Sequence, residues 1–244
     1  MASGRFLLIL LSLLLLSIST TVHCSFACLS NTTCQSFVGY VPINKTTLSD
    51  IQSLFSLDSL ASLLGANALP LSTPSNYTFP RLSTVRVPIP CKCTGGSGVS
   101  DRKPIYTVRP DDGLYFIATF VFSKLLRYPE IVQANNIPNE NNITVGQKLW
   151  IPLPCSCDPI DGTVIVAHYA HVVKSGSTVE EIAAEFGSTE TTLLKLNNMT
   201  DPKDLKADQA FDVPLSEYPG IAGKGFFFRN WLSPFCVVGF EASL

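Results

Sequence analysis

Three kinds of side chain stand at spacings that invite chemistry: eight cysteines, adjacent aspartates at Asp111 and Asp112, and histidines at His168 and His171. Paired carboxylates suggest hydrolysis of a glycosidic bond, but that reaction needs two carboxyl groups facing one another across about 5 to 9.5 Å. Neighbours in an Arg-Pro-Asp-Asp-Gly stretch are placed to cap a helix or solubilise a loop, so no catalysis is expected of them. His168 and His171 lack a third ligand at metal-binding spacing and read as strand-surface residues, with no metal. No motif calls for a cofactor.

The cysteines carry more information. They lie at 24, 28, 34, 91, 93, 155, 157 and 236, behind a start that reads as a signal peptide: Arg5, an apolar run from Phe6 to Leu16 broken by Ser12, then small polar residues. The run is too short for a membrane span, which needs about 20 apolar residues. Five Asn-x-Ser/Thr sequons at Asn31, Asn44, Asn76, Asn142 and Asn198 fit the same secretory route as N-glycosylation sites. Setting aside Cys24 at the cleavage site and Cys236 in the tail leaves six cysteines, an even set that in a secreted chain reads as a disulfide framework. In an extended strand residues i and i+2 share a face, so each Cys-x-Cys must reach toward different partners. Zinc is the other reading, but its sites favour wider Cys-x2-4-Cys spacing. Six cysteines admit 15 pairings, and the spacing does not choose among them. A net charge of −2 with no Lys/Arg block excludes the electrostatic footprint of a nucleic-acid binder.

Between the cysteine pairs the chain repeats itself. Leu48, Leu114 and Val179 occupy one pattern position, and Asn67, Asn135 and Asn197 another some twenty residues later. Each unit closes on an extended stretch: Val87-Pro88-Ile89-Pro90, Ile151-Pro152-Leu153-Pro154 and Val213-Pro214-Leu215. The order in each reads strand, helix, helix, strand. Val179, Ile182, Ala183 and Phe186 share a helix face, and Thr178 with Glu181 predicts a capping box; Thr47 with Asp50 predicts a weaker cap before Leu48, Ile51, Leu54 and Phe55. Pro129 suits the first turn of a second helix. Tyr106 and Val108, and His171 with Val173, suggest opening strands. Phe116 and Phe120, at i and i+4, are expected in the core, with Tyr115 left between core and ligand. Units of about 45 to 55 residues bury little apolar surface, so disulfides must supply the missing constraint.

These residues resemble the LysM domain, whose opening loop Gly176-Ser177-Thr178-Val179 matches best. Three units separated by Cys-x-Cys resemble the plant LysM-containing GPI-anchored proteins and the ectodomains of plant LysM receptor kinases. Phe37-Val38-Gly39-Tyr40, Leu64-Gly65-Ala66-Asn67 and Gly146 to Cys155 point to the anchored group. The implied fold is α+β: three small βααβ repeats packed together and cross-linked by disulfides. The expected division is a signal peptide over 1–24, an N-terminal cysteine segment over 25–36, repeats over 37–90, 105–154 and 168–216 with linkers over 91–104 and 155–167, and a divergent tail over 217–244. The resemblance also implies the pairings Cys28–Cys93, Cys34–Cys157 and Cys91–Cys155.

By the same resemblance the chain binds chitin oligosaccharides, peptidoglycan or both at the outer face of the cell, as a non-catalytic receptor component of innate immunity beside a LysM receptor-like kinase. The glycan is expected on the central unit. Its positions are Arg109, Pro110, Asp111, Asp112, Gly113, Leu114 and Tyr115 in the first loop and Ile137, Pro138, Asn139, Glu140, Asn141, Asn142 and Ile143 in the second. Uncharged N-acetylated sugars call for such Asn and Asp groups beside apolar surface. The loop departs from the family in carrying Gly113 at the cap, which predicts a looser turn, and a glycan on Asn142 would obstruct the ligand. The other class compatible with these residues is a secreted accessory or inhibitor of a wall hydrolase without a signalling role. After Leu215 the resemblance ends, and the tail lacks the polar spacer of an anchor signal, so a truncated, released product is expected.

Overall fold

The computed structural model describes residues 26–159 and 167–215. The leader, Cys24, Cys236 and the tail reading lie outside the described residues.

Three βααβ units emerge. In the first, strand β2 (Thr33–Tyr40) leads to helices α1 (Leu48–Leu54) and α2 (Leu60–Ala66) and closes on β5 (Val85–Thr94). Four short strands accompany it: β1 (Phe26–Cys28), β3 (Thr46–Thr47), β4 (Thr78–Phe79) and β6 (Gly96–Ser100). The second unit runs from β7 (Ile105–Thr107) through α3 (Leu114–Phe116) and α4 (Tyr128–Ala134) to β8 (Lys148–Trp150). The third runs from β9 (Ala167–Val172) through α5 (Val179–Phe186) and α6 (Glu190–Leu196) to β10 (Ala210–Leu215).

Helix entry follows the local chemistry. Asp50 and Glu181 amides donate to the Thr47 and Thr178 hydroxyls, and the Thr47 and Thr178 amides donate back to those carboxylates, each bond within 2.9–3.1 Å. The Thr47 box is therefore complete rather than weak. Pro129 lies in the first turn of α4, where its missing N–H costs little. Gly113 caps α3 with backbone alone, and α3 passes after one turn into a π-helical turn over Ile117–Val121. That widened turn changes which rings face inward. Ile117, Ala118 and Phe122 are buried, while Phe116 and Phe120 stack on each other at 5.3 Å and remain 41% and 39% exposed, so their expected place in the core is corrected.

The repeated asparagines explain themselves. Asn135 lies at the end of α4, and its side-chain amide donates to the carbonyls of Ile131 and Trp150, both at 2.8 Å, while its oxygen accepts from Trp150 N at 2.8 Å. Asn67 makes the same three bonds to Leu63 and Arg86, and Asn197 to Leu193 and Asp212. One side chain thus ends the second helix and pins it to the closing strand in every unit. Asn suits this role because its amide offers two donors beside an acceptor.

The first unit is the hub. Its strands join those of the third in a six-stranded sheet ordered β1-β6-β5-β2-β9-β10, in which β2 and β9 run parallel with Phe37 opposite Tyr169. With the second unit it shares a core through edge-on rings: Tyr40–Phe55 at 5.2 Å, Phe55–Phe122 at 5.7 Å and Phe122–Tyr106 at 5.9 Å. Cys28–Cys93, Cys34–Cys157 and Cys91–Cys155 are disulfides, so strand β5 reaches both the N-terminal segment and the linker after the second unit. Two glycines permit the close approaches. A Cβ at Gly98 would lie 2.1 Å from the Cys155 carbonyl oxygen, and one at Gly39 would lie 2.2 Å from the Tyr169 hydroxyl.

The histidines also need correcting. β9 lies inside the sheet rather than at its surface, so His168 and His171 are buried. His168 Nδ1 lies 2.9 Å from both Asp212 carboxylate oxygens, and Nε2 lies 2.8 Å from the Asp158 carbonyl. Two oxygen acceptors at two ring nitrogens favour the doubly protonated ring, which donates at both. Burial alone would lower the His168 pKa, but the hydrogen bond and charge of Asp212, with Asp158, raise it overall. His171 is held below its usual value by burial, with Phe186 edge-on at 5.3 Å.

Candidate functional site

In the second unit Thr107 faces Lys148 across β7 and β8, so the loop leaving one strand and the loop entering the other share an end of the unit. Val108 N donates to Gln147 O at 2.9 Å and Gly146 N to Val108 O at 2.8 Å, clasping the two at their base. Beyond that clasp they separate. Among the described residues no backbone hydrogen bond joins 109–116 to 137–143. The third unit repeats the arrangement, with Val173 N donating to Gln209 O and Asp208 N to Val173 O. The first unit differs: its β3–β4 ladder sets Thr46 against Phe79 and Thr47 against Thr78, and Leu48 N and Ser49 N donate to Tyr77 O and Ser75 O, each at 3.0 Å.

The open pair of loops presents a mixed surface. Arg109, Pro110, Asp111, Gly113 and Tyr115 are exposed, as are Pro138, Asn139, Glu140, Asn141 and Asn142. Tyr115 is 63% exposed. Leu114 and Ile137 are buried and Ile143 packs partly against the core, so these three anchor the loops instead of offering apolar surface. The Asn139 side chain accepts from Asn141 N at 3.0 Å, and its carbonyl accepts from Asn142 N at 3.0 Å, a turn chemistry to which Asn is suited.

The Gly113 turn is not loose. The Asp112 carboxylate accepts from Arg109 N and from the Tyr106 hydroxyl, both at 2.7 Å, replacing the missing side-chain cap with a brace to the opening strand. Burial, then the bond to Asp112, raises the Tyr106 pKa well above that of a free phenol. The Arg109 guanidinium lies 5.8 Å from the Tyr106 ring centre. Asp112 is thus committed within its own loop, and Asp111, at φ +67°, occupies a left-handed position that Asp tolerates.

On its other flank the Arg109–Asp112 loop borders a cleft of about 610 Å³ between the first and second units, whose wall includes Arg109, Pro110, Asp112, Phe116 and Phe120. Sequence reasoning did not anticipate this cleft, because it arises from packing between units. The outward rings had one legible cue, the crowding of Tyr115, Phe116, Phe120 and Phe122 into a stretch too short to bury all four. All five sequon asparagines are exposed.

Known proteins share this architecture. The LysM domain family model matches residues 106–152 and 171–214. LysM domain-containing GPI-anchored protein 2 of Arabidopsis thaliana is 50% identical over 201 residues, 82% of this chain and 57% of that protein. The chitin elicitor-binding protein of Oryza sativa subsp. japonica is 47% identical over 186 residues, 76% of this chain and 52% of that protein. The chain thus spans about half the length of these relatives. In fold it is similar to the crystal structure of the ectodomain of a receptor-like kinase, with a TM-score of 0.63 at 22% identity, over 78% of this chain and 96% of that one. With its matching domains, its disulfide-linked βααβ units and these relatives, the chain belongs to the LysM-domain proteins, in kinship with the plant GPI-anchored members.

Proposed function

We propose that the chain binds N-acetylglucosamine-containing glycans, chitin oligomers or peptidoglycan fragments, outside the cell, and that it acts without catalysis as a receptor component of plant innate immunity beside a LysM receptor-like kinase. One observation carries the reading: the central unit, like the third, leaves two adjacent loops unjoined, where the first unit fastens the equivalent pair together. Uncharged amino sugars are held by backbone and amide groups plus contact with their apolar faces. Exposed Tyr115, Pro138, Asn139 and Asn141 supply that combination. The names of the relatives, a chitin elicitor-binding protein among them, support the ligand class.

Calorimetry of the secreted chain against N-acetylglucosamine oligomers of increasing length, and against muropeptides, tests the proposal. Affinity rises with oligomer length, and Tyr115→Ala weakens it about tenfold, or about 1.4 kcal/mol. Absence of heat with both ligand series overturns the reading. So does a site that survives Tyr115→Ala and is lost on altering the loops of the first unit.

A further inference from the structure

The cleft between the first and second units is lined by four large apolar side chains that stay exposed to solvent: Ile43, Ile105, Phe116 and Phe120, each 39–41% accessible. They come from three separate segments and converge on one concave surface, which isolated exposed residues do not do. On the same wall stands Asn44, the first residue of an Asn-Lys-Thr sequon, and the asparagines of the other four sequons do not line it. An acceptor asparagine thus opens directly onto an apolar, ring-bearing hollow.

We propose that the cleft houses the inner sugars of an N-linked glycan carried by Asn44. The chemistry fits the wall. The first two residues of such a glycan are N-acetylglucosamines, uncharged, with acetamido methyls and C–H faces that pack on the Phe116 and Phe120 rings. The nearby carboxylates are each already engaged within their own loop, Asp112 accepting from the Tyr106 hydroxyl and the Arg109 amide and Asp50 from the Thr47 amide and hydroxyl, so their hydrogen bonding does not depend on a ligand. Its volume of about 610 Å³ lies within the range of small-ligand sites, about 300–1,000 Å³. The attached sugar needs no association step, so modest contacts suffice to hold it against the wall. It then covers the outward face of the π-helical turn and bridges the first unit to the second. The inference rests on the extracellular part of the proposed function, because only a chain in the secretory pathway meets the glycosylation machinery.

Glycopeptide mass mapping of the chain secreted from plant cells, with amide hydrogen exchange, tests it. Asn44 is occupied, and the native glycoform slows exchange at 105–107 and 116–121 about tenfold relative to Asn44→Gln or Thr46→Ala. Thr46→Ser retains the sequon and the slow exchange. Trimming with an endoglycosidase that leaves one N-acetylglucosamine preserves most of the effect, whereas Asn76→Gln, which removes a sequon away from the cleft, has none. Occupied Asn44 with exchange identical to Asn44→Gln overturns the proposal, as does an unoccupied Asn44 beside occupied Asn31, Asn76 or Asn198. A secreted chain bearing no glycan at any sequon likewise overturns the proposal, whereas a chain that the cells retain unglycosylated in the cytosol overturns the secretory reading itself, a separate failure. Equal protection of unglycosylated protein by added chitin trimer would assign the cleft to a free ligand instead.

Discussion

The first and second units are built from the same four elements, yet they spend their backbone hydrogen bonds differently. In the first, the β3–β4 ladder and the bonds from Leu48 and Ser49 use up the amides and carbonyls that border its two loops. In the second, the corresponding stretches meet only at the Val108 clasp and then part. The first unit also gives a sheet edge to the third and a ring-lined face to the second. A unit whose backbone and flanks are committed serves as a frame, whereas the second unit, like the third, leaves its two loops unjoined, which is what the proposed glycan site requires.

The largest effect that tests this contrast comes from the cross-links. Replacing Cys91 and Cys155 with alanine together lowers stability by about 2–4 kcal/mol in denaturant unfolding. Hydrogen exchange then rises first across 105–150 while β2, β9 and β10 stay protected. A uniform rise over all three units would contradict the hub role of the first.

The asparagine clamps come next. Asn135→Ala and Asn67→Ala each cost about 1–3 kcal/mol, because each takes the side-chain partner from both the amide and the carbonyl of one residue of the closing strand, Trp150 or Arg86. Their thermal stabilities fall alike. Only Asn135→Ala should also weaken binding of chitin oligomers, and an equal loss of affinity in Asn67→Ala would place the ligand elsewhere.

Smaller still is the cap. Gly113→Thr supplies the side-chain oxygen that Thr178 supplies in the third unit, and by that comparison raises stability by up to about 1 kcal/mol, read as an increase in Tm. A decrease would mean that the Asp112 brace and a threonine cap compete for the same turn.

The third unit adds a directional prediction. His168, raised above its ordinary value of 6.5 by Asp212 and Asp158 against the cost of burial, contributes stability that is complete below the unfolded value and disappears as pH rises through the folded one. His171, lowered by burial, contributes above the ordinary value and loses that contribution as pH falls through its folded pKa. Ring-proton NMR titration should therefore find His168 titrating above His171. The reverse order would mean that the Asp212 contact does not favour the charged ring, as burial, which raises Asp212 as well, works against the separated charges.

Much of the fold was legible because its signals are local. Thr178 with Glu181, Thr47 with Asp50 and Pro129 each act within a turn, and the repeated asparagines mark corresponding points in three units. What sequence reading got wrong was decided by a change of helix period in one unit and by strand order in the shared sheet. Nothing in the period of Phe116 and Phe120 announces a π-helical turn, and nothing around His168 announces that β9 lies between β2 and β10. A lone Asp212 inside the apolar strand Ala210–Leu215 was the available hint of a buried partner. The candidate loops were legible as polar turns, but the burial of Leu114 and Ile137 follows from the closing strand and core behind them.

The missing side chain at Gly39 makes the seam between the first and third units a gauge of residue size. The Tyr169 hydroxyl stands where even a methyl would go, so the parallel contact of β2 with β9 has no slack. One added carbon at residue 39 must move Tyr169 or the strand that carries it. The spacing between these two units is thus set by an atom that is not there.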